Sequence, residues 1–330
     1  MIKTKQLISK IDKIFVAGHN GMVGKAIVKK LLNENYQNLL TVNRDELDLT
    51  DGYAVNKWFK QYKPDIVILA AAKVGGINAN NTYPTKFLLD NLKIQNNVIE
   101  SSWANHVRRF LFLGSSCIYP KLSPQPIKEE YLMSGNLEIT NQWYAMAKIS
   151  GIYLCNALRK EFDFDAISLM PTNLYGTGDN YDLQNSHVLP ALIRRFCEAK
   201  KNNINSINCW GDGTPLREFL HCDDLADACV FVLENVNSED INNNLENSNQ
   251  LINHINVGSG KDISIKNLAE LISKEVDFKG KILWDTSKPN GTYQKKLDIN
   301  LMRKLGWQQK ISLKEGIKKT IREFRETFLA

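Results

Sequence analysis

The sequence lacks the features of several protein classes. Its six cysteines form no CxxC pair or other zinc-like spacing, which argues against a metal site and favours reduced thiols. The longest apolar run, IVILAAAKV from Ile66, is too short to cross a bilayer. The N-terminal MIKTKQLISK has no hydrophobic region typical of a signal peptide. We therefore expect a cytoplasmic protein with no membrane partner.

Clusters of basic residues are also missing. The 42 Lys and Arg exceed the 36 Asp and Glu by only six charges, without the concentrated Lys/Arg patches that nucleic-acid binders usually carry. We therefore expect no nucleic-acid partner, and the mild positive charge suits an anionic small ligand. A chain of 330 residues with 43% hydrophobic residues can build one large or two moderate domains.

Apolar, strand-like runs alternate with amphipathic, helix-like segments through the first half of the chain. The strand candidates are KIFVAG, LLTVN, DIVILAA, RFLFLGS and DAISLMP. Predicted helices begin near Met22, Tyr53, Thr85 and Trp143. This order predicts an α/β fold with a doubly wound parallel sheet of the Rossmann type. In such a fold, ligands bind beyond the carboxyl ends of the strands.

The alternation weakens after Gly176, which predicts a second, smaller domain. We assign residues 1–175 to a dinucleotide-binding domain, to which about 218–260 returns, and 176–217 and 261–330 to an α/β substrate-binding domain. In the returning part, Asp223 or Asp224 is expected to cap a helix. The Asn-rich stretch 235–253 has few large apolar residues and is predicted to be an exposed loop.

Three glycines follow the first predicted strand at intervals of three, in VAGHNGMVG. Gly18, Gly21 and Gly24 would allow a tight turn, close approach of a pyrophosphate, and close packing of the helix on the strand. The alternative is a merely structural glycine turn. The strand-turn-helix context favours dinucleotide binding.

The end of the second predicted strand bears on the choice of cofactor. An NAD enzyme usually has an acidic residue there, whereas TVNRDEL has Asn43 followed by Arg44. Arginine suits the 2′-phosphate of NADP(H), although Asp45 could partly neutralise it and a solvated Arg44 is the alternative. Asn20 in the glycine loop leaves Arg44 without a second basic residue there.

The segment YAMAK places Tyr144 and Lys148 four residues apart, on one face of a helix. A lysine ammonium there would stabilise a phenolate and lower the pKa of Tyr144 toward neutrality. Such a pair alone is usually an amphipathic surface pair. Ser115, at the end of an earlier strand, could donate to the same carbonyl oxygen as Tyr144, which favours acid catalysis on a carbonyl.

These residues, from Gly18 to REFLHCDDLADA, resemble the extended short-chain dehydrogenase/reductase family. The segments GHNGMVG, LGSSCIYP, PTNLYG, NSHVLPALIRRF, WGDGTPLREFLHCDDLADA, HINVGSG and SKPNGT are similar to one branch of that family. The branch epimerises C3 and C5 of GDP-4-keto-6-deoxy-D-mannose and reduces C4 with NADPH. The alternatives are a related nucleotide-sugar epimerase or dehydratase with bound NAD, and a non-catalytic NADP-binding protein.

The resemblance assigns a role to a thiol at the end of the fourth predicted strand. In an extended strand, residues two apart point the same way, so Ser115 and Cys117 could face one pocket. The resemblance implies Cys117 as the base and His187 as the acid of the epimerisation. Alone, a strand Cys is usually an inert apolar residue and a lone His is usually structural.

The resemblance also implies two sets of binding residues and an assembly. The cofactor set is Gly18, His19, Asn20, Gly21, Met22, Val23, Gly24, Arg44, Leu113, Gly114, Ser115, Ser116, Lys148, Pro171, Thr172, Asn173, Leu174 and His187. The GDP-sugar set is Arg195, Trp210, Arg217 and Lys295. A homodimer is expected to form through the helices near 85–105 and 143–160.

Overall fold

The computed structural model describes residues 6–182, 186–244, 252–288 and 290–329. Its strands are β1 Ile14–Ala17, β2 Leu39–Leu40, β3 Ile66–Leu69, β4 Arg109–Leu113, β5 Ala166–Pro171, β6 Asn173–Tyr175, β7 Ser206–Trp210, β8 Leu216–His221, β9 His254–Val257, β10 Asp262–Ser264, β11 Lys281–Asp285 and β12 Gln294–Lys295. Its helices are α1 Met22–Asn33, α2 Gly52–Tyr62, α3 Ile77–Thr82, α4 Pro84–Ala104, α5 Gln142–Phe162, α6 Val188–Lys201, α7 Cys222–Asn235, α8 Ser238–Asn244, α9 Ile265–Val276, α10 Asn300–Lys304 and α11 Leu313–Phe328.

A parallel sheet, formed by six of the described strands, has the order β2-β1-β3-β4-β5-β9. Alternate residues of β1 face two separate cores. Ile14 and Val16 pack with α1 and α7 on one side, and Phe15 and Ala17 pack with α2, α4 and α5 on the other. Both faces are covered because the crossover helices lie on both sides of a parallel sheet. The predicted fold class is confirmed, and each of the five predicted strands is present.

Strands from the second half of the chain form a smaller sheet. Strand β8 pairs with β10, β12 and β6. A third core, between α6, α9 and α11, joins the helices of this part. Of the stretch predicted to return to the first domain, α7 packs on α1 and β9 joins the large sheet, whereas β8 belongs to the smaller one. The domain boundaries themselves remain a prediction.

Two local predictions are wrong. The Asn-rich stretch contains α8, and its Val236 and Ile241 are buried in the core, so a few apolar residues are enough to dock this part of the chain. The part of that stretch at 245–251 lies outside the described residues. Helix α7 is capped by His221, whose ring nitrogen accepts from the amide of Asp223 at 3.2 Å. The Asp224 carboxylate accepts from the backbone amides of residues 310 and 311 instead.

Among the described residues, no helix combines the length and the apolar character that crossing a bilayer requires.

Candidate active site

The glycine loop between β1 and α1 has the shape of a dinucleotide cradle. Gly18 has φ +91°, and a Cβ there would lie 2.6 Å from the backbone nitrogen of Ala71. A Cβ on Gly24 would collide with the Gly18 carbonyl oxygen. A Cβ on Gly21 would come no closer than 3.5 Å to that oxygen, so this side of the loop is open. The N-terminus of α1, which has no acidic residue in its first turn, therefore suits a pyrophosphate.

The region beyond β2 joins the glycine loop through a pair of amides. Asn20 donates from Nδ2 to Oδ1 of Asn43 at 2.8 Å. Arg44 follows with 79% of its side chain exposed, and its nearest carboxylate is that of Asp48 at 3.8 Å, not that of Asp45. Most of the Arg44 side chain is thus open to solvent, in the residue that follows the partner of Asn20.

The end of β4 departs from the extended strand that the sequence suggested. The strand ends at Leu113, and a 3₁₀ turn spans Ser116–Ile118. The Ser115 hydroxyl caps this turn by accepting from the amide of Cys117 at 3.2 Å. The argument from strand alternation is therefore wrong, because the turn and not an extended backbone directs Cys117. The Ser115 hydroxyl also lies near the phenol of Tyr144 and acts to lower the pKa of that phenol.

Helix α5 carries Tyr144 and Lys148 to this turn. The Lys148 ammonium is buried and donates to the carbonyl of Leu113 at 2.7 Å, and it lies 5.8 Å from the centroid of the Tyr144 ring. Burial lowers the pKa of Lys148 to about 7.

The expected lowering of the Tyr144 pKa is wrong for this structure. Burial raises the pKa of Tyr144 above its ordinary value of 10, and the nearby Cys117 raises it further. The reason is that the Lys148 ammonium donates to a backbone carbonyl and not to the phenol. Tyr144 therefore remains a neutral phenol at pH 7, which is the protonation state that a proton donor needs.

Cys117 is half-buried and has two nitrogen neighbours. The Nδ2 of Asn141 donates to its Sγ at 3.3 Å, and the Nζ of Lys295 lies 3.7 Å from the same sulfur. All six cysteines lie within the described residues and are free thiols, and the five others are buried. Burial raises the pKa of Cys155 and of Cys222 to about 12.

His187 lies at the N-cap of α6, away from the 3₁₀ turn in the chain. Desolvation by the surrounding protein lowers its pKa, although part of the ring remains exposed. Among the contacts between described residues, the imidazole makes none with Ser115, Cys117 or Tyr144. The structure therefore does not test the predicted pairing of His187 with Cys117.

The other predicted binding residues fall into two groups. Arg195 on α6 donates to the Asn208 carbonyl of β7 at 3.2 Å, close in the chain to Trp210, which is 65% exposed at the end of that strand. Arg217 and Lys295 are paired residues of β8 and β12. Desolvation lowers the pKa of Arg217.

The segment after β5 is held by the backbone of β8. The Thr172 hydroxyl and the Asn173 amide both donate to the carbonyl of Glu218, at 3.3 and 2.8 Å. This carbonyl fixes the part of the chain that the sequence assigned to nicotinamide binding.

Sequence reasoning missed Asn141 and Glu218. Asn141 stands at the N-cap of α5, a position that favours Asn, and this signal could have marked it. Glu218 is a fully buried carboxylate in a mostly apolar strand, which could also have been noticed. It accepts from the amides of Gly260 at 2.6 Å and Leu297 at 2.8 Å.

Comparison with known proteins agrees with this geometry. Residues 14–257 match the NAD dependent epimerase/dehydratase family. The chain belongs to this family. The resemblance to the extended short-chain dehydrogenases/reductases is thereby confirmed.

Relatives within the family carry a more specific name. The putative GDP-L-fucose synthase 2 of Arabidopsis thaliana is 54% identical over 97% of this chain and 94% of its own length. The GDP-L-fucose synthase of Escherichia coli K12 is 48% identical, over 96% of this chain and 97% of its own. The solved structure of a GDP-L-fucose synthetase from Naegleria fowleri bound to NADP has a TM-score of 0.86 and 27% identity, covering 99% of this chain and 98% of that one.

The buried Lys148 predicts a pH dependence of stability. Its pKa is near 7 in the folded chain and 10.5 as the ordinary value, so between these values the unfolded state binds more protons. Stability should therefore rise with pH across this window, by at most about 1.4 kcal/mol per pH unit. Urea unfolding of cofactor-free protein should show that the stability of the wild type relative to Lys148→Met grows from pH 7 to pH 10.

The exposed Lys60 of α2, outside the expected dimer helices, provides the matched control. Lys60→Met should leave the pH profile of the wild type unchanged, because its ammonium is already in water in the folded state. A difference between wild type and Lys148→Met that stays constant with pH would contradict the prediction.

Proposed function

We propose that this chain converts GDP-4-keto-6-deoxy-D-mannose into GDP-L-fucose, by epimerising C3 and C5 and reducing C4 with NADPH. The observation that carries the proposal is the meeting of a thiol, a phenol and a serine at the end of β4, in a chain similar to GDP-L-fucose synthases over nearly its full length. A reductase alone needs the phenol and serine. The half-buried thiol beside them is the additional group that epimerisation requires.

The cofactor is NADP(H). Gly18 to Gly24 would hold its pyrophosphate, and Arg44 would bind the 2′-phosphate, supported by the open side of the glycine loop and the exposed guanidinium. The segments Leu113–Ser116 and Pro171–Leu174, with Lys148 and His187, would line the ribose and nicotinamide, since they follow β4 and β5 or border them. NADPH supplies the hydride that reduces C4.

In the reduction, Tyr144 donates its proton to O4 while the Ser115 hydroxyl holds the same oxygen. The raised pKa of Tyr144 supports this role, because the phenol stays protonated until O4 gains negative charge. Lys148 is the group that can supply a proton near the site after Tyr144 has donated its own. Its lowered pKa supports a proton-exchanging role at neutral pH.

In the epimerisation, a proton alpha to the C4 ketone leaves one face of the sugar and another returns on the opposite face. Cys117 is the base and His187 the acid. The half-buried position of Cys117 between Tyr144 and Lys295 supports its role. Desolvation lowers the pKa of His187, which favours release of its proton to the sugar.

The GDP-sugar is held by Arg195, Trp210, Arg217 and Lys295. Guanidinium and ammonium groups pair with diphosphate oxygens, and an exposed indole can pack on a base or sugar ring. Trp210 has the Lys288 ammonium 5.9 Å from its ring, which supports a site that already favours stacking and positive charge. The substrate domain, at 176–217 and 261–330, would supply all of these residues.

The chain acts as a homodimer in the cytoplasm. Six free thiols support a reducing compartment. Helices α4 and α5 pack side by side, and α5 carries exposed apolar side chains at Trp143, Met146 and Tyr153, three and seven residues apart. A helix stripe of this kind supports a helix–helix interface with a second copy.

The two chemistries in one pocket should be separable. Tyr144→Phe removes the proton donor to O4 but keeps the thiol, so NADPH oxidation should fall by about 10² to 10⁴. In D₂O this variant should still place deuterium at C3 or C5 of the recovered keto sugar. Cys117→Ala should lose both deuterium incorporation and NADPH oxidation.

Mass spectrometry of the sugar and the absorbance of NADPH provide the two readouts. The buried Cys155 gives a matched control, since Cys155→Ala should keep deuterium exchange in folded protein. Normal exchange by Cys117→Ala would remove the thiol from the mechanism. Lack of NADPH consumption by the wild type with this substrate would favour a dehydratase or a non-catalytic protein.

The role of Arg44 can be tested by charge reversal. Arg44→Asp should shift preference from NADPH toward NADH, because a carboxylate repels the 2′-phosphate and accepts from a free 2′-hydroxyl. The ratio of kcat/KM for the two cofactors is the measurement, and Lys57→Asp, at an exposed position of α2, is the control for charge. An unchanged ratio in Arg44→Asp would exclude Arg44 as the discriminating residue.

The dimer surface can be tested on Tyr153, which is 50% exposed. Tyr153→Asp should yield particles of one 37.6 kDa chain in sedimentation velocity, because two carboxylates would be buried at the symmetric contact. Tyr53→Asp, at a position 81% exposed on α2, should keep the wild-type mass. Equal masses for wild type and Tyr153→Asp would contradict this interface.

A further inference from the structure

We propose that Lys295 and Asn141 are positioning residues for Cys117, which stabilise its thiolate and aim it at the substrate. The inference rests on the proposed function for the use of the thiolate, but not for the contacts themselves. It changes the main role of Lys295 from holding the diphosphate to acting on the base.

Two nitrogen groups from different parts of the chain contact the sulfur of Cys117. Asn141 precedes α5 and donates from Nδ2 to Sγ at 3.3 Å, and Lys295 of β12 brings Nζ to 3.7 Å. Both are donors, and a donor or a cation interacts more strongly with a thiolate than with a thiol. Two titratable side chains thus face the sulfur, Lys295 from β12 and Tyr144 from α5.

The position of Lys295 is fixed by the backbone around it. Strand β12, which carries Lys295, pairs with β8. Just beyond β12, the Leu297 amide donates to the buried carboxylate of Glu218 at 2.8 Å. Before it, the Gln294 amide donates to Asp262 at 2.5 Å. The ammonium is therefore carried by a strand that is held at both ends, so its contact with the thiol is part of the fold.

Arg217 is the in-register neighbour of Lys295 and has a different environment. Residues paired across parallel strands project on the same side of the sheet, so the two cations lie side by side. The Arg217 guanidinium lies 3.5 Å from the space where a Gly291 side chain would begin, and Lys295 reaches the thiol. In this proposal the two cations have different roles. Arg217 binds the substrate phosphates, and Lys295 acts on the base Cys117.

The Cys117 thiolate takes the proton from the carbon next to C4, the C–H bonding pair moves into the enolate, and the negative charge passes from sulfur to O4. Before this step, the Lys295 ammonium and the Asn141 amide stabilise the negative charge on the sulfur. Afterwards, Ser115 and Tyr144 stabilise the charge on O4 by donating hydrogen bonds to it.

Alkylation of Cys117 by iodoacetamide tests the thiolate without any substrate. Peptide mass spectrometry follows this one cysteine. At pH 7, Lys295→Met should slow the reaction about tenfold, and Asn141→Leu about threefold, because the thiolate is the reacting form. At pH 9.5, where most unassisted thiols are ionised, each rate should return to within about twofold of the wild type.

Two controls and two contrary outcomes complete the test. Lys295→Arg should retain most of the wild-type rate, and Lys296→Met, which removes the same charge from the next residue, should retain all of it. A rate at pH 7 that is unchanged in Lys295→Met would overturn the proposal. A loss that persists at pH 9.5 would also overturn it, because it would indicate altered access to the thiol.

Deuterium exchange at saturating GDP-4-keto-6-deoxy-D-mannose separates this proposal from the proposed function. Lys295→Met should lower the maximal exchange rate with little change in KM, whereas a diphosphate contact would raise KM alone. Slow alkylation in Lys295→Met together with no exchange by the wild type would support the roles of Lys295 and Asn141 at the thiolate. The same result would overturn the proposed substrate.

Discussion

The hydrogen bond from the Lys148 ammonium to the Leu113 carbonyl is the contact on which the site depends. It joins α5 to the last residue of β4 inside the protein, and no carboxylate among the described residues pairs with this ammonium. The same helix carries Tyr144 close to Ser115, and its N-cap residue Asn141 donates to the sulfur of Cys117. The groups proposed for reduction and for proton transfer therefore lie around the first turns of one helix.

Burial also sets the charges of these groups. An ammonium and a phenol removed from water both favour their neutral forms, which lowers the pKa of Lys148 to about 7 and raises that of Tyr144. The two shifts have one cause and opposite signs. As a result, Tyr144, the proposed donor to O4, is protonated at pH 7, and the nearby lysine can change its charge near that pH.

The smaller sheet carries Arg217 and Lys295, and it brings Lys295 to Cys117 beyond the end of β4. Glu218 is central to this part, because its carboxylate accepts from the Gly260 and Leu297 amides and its carbonyl from Thr172 and Asn173. One buried residue therefore connects β8 with the turn after β9, with the strand that carries Lys295, and with the segment after β5. A buried carboxylate is stable there because several backbone amides donate to it.

The sequence alone determined the fold class, the glycine loop and the helix that carries Tyr144 and Lys148, since these depend on periodicity and on spacing along one element. Tertiary structure decided what lies between elements. The partners of the Cys117 sulfur and of the Lys148 ammonium come from residues distant in the chain, and the bond from Lys148 to Leu113 replaces the expected contact with the Tyr144 phenol. The roles of the site residues remain predictions. Local pattern cannot reveal such contacts, because Lys295 and Cys117 are 178 residues apart and meet only when β12 pairs with β8.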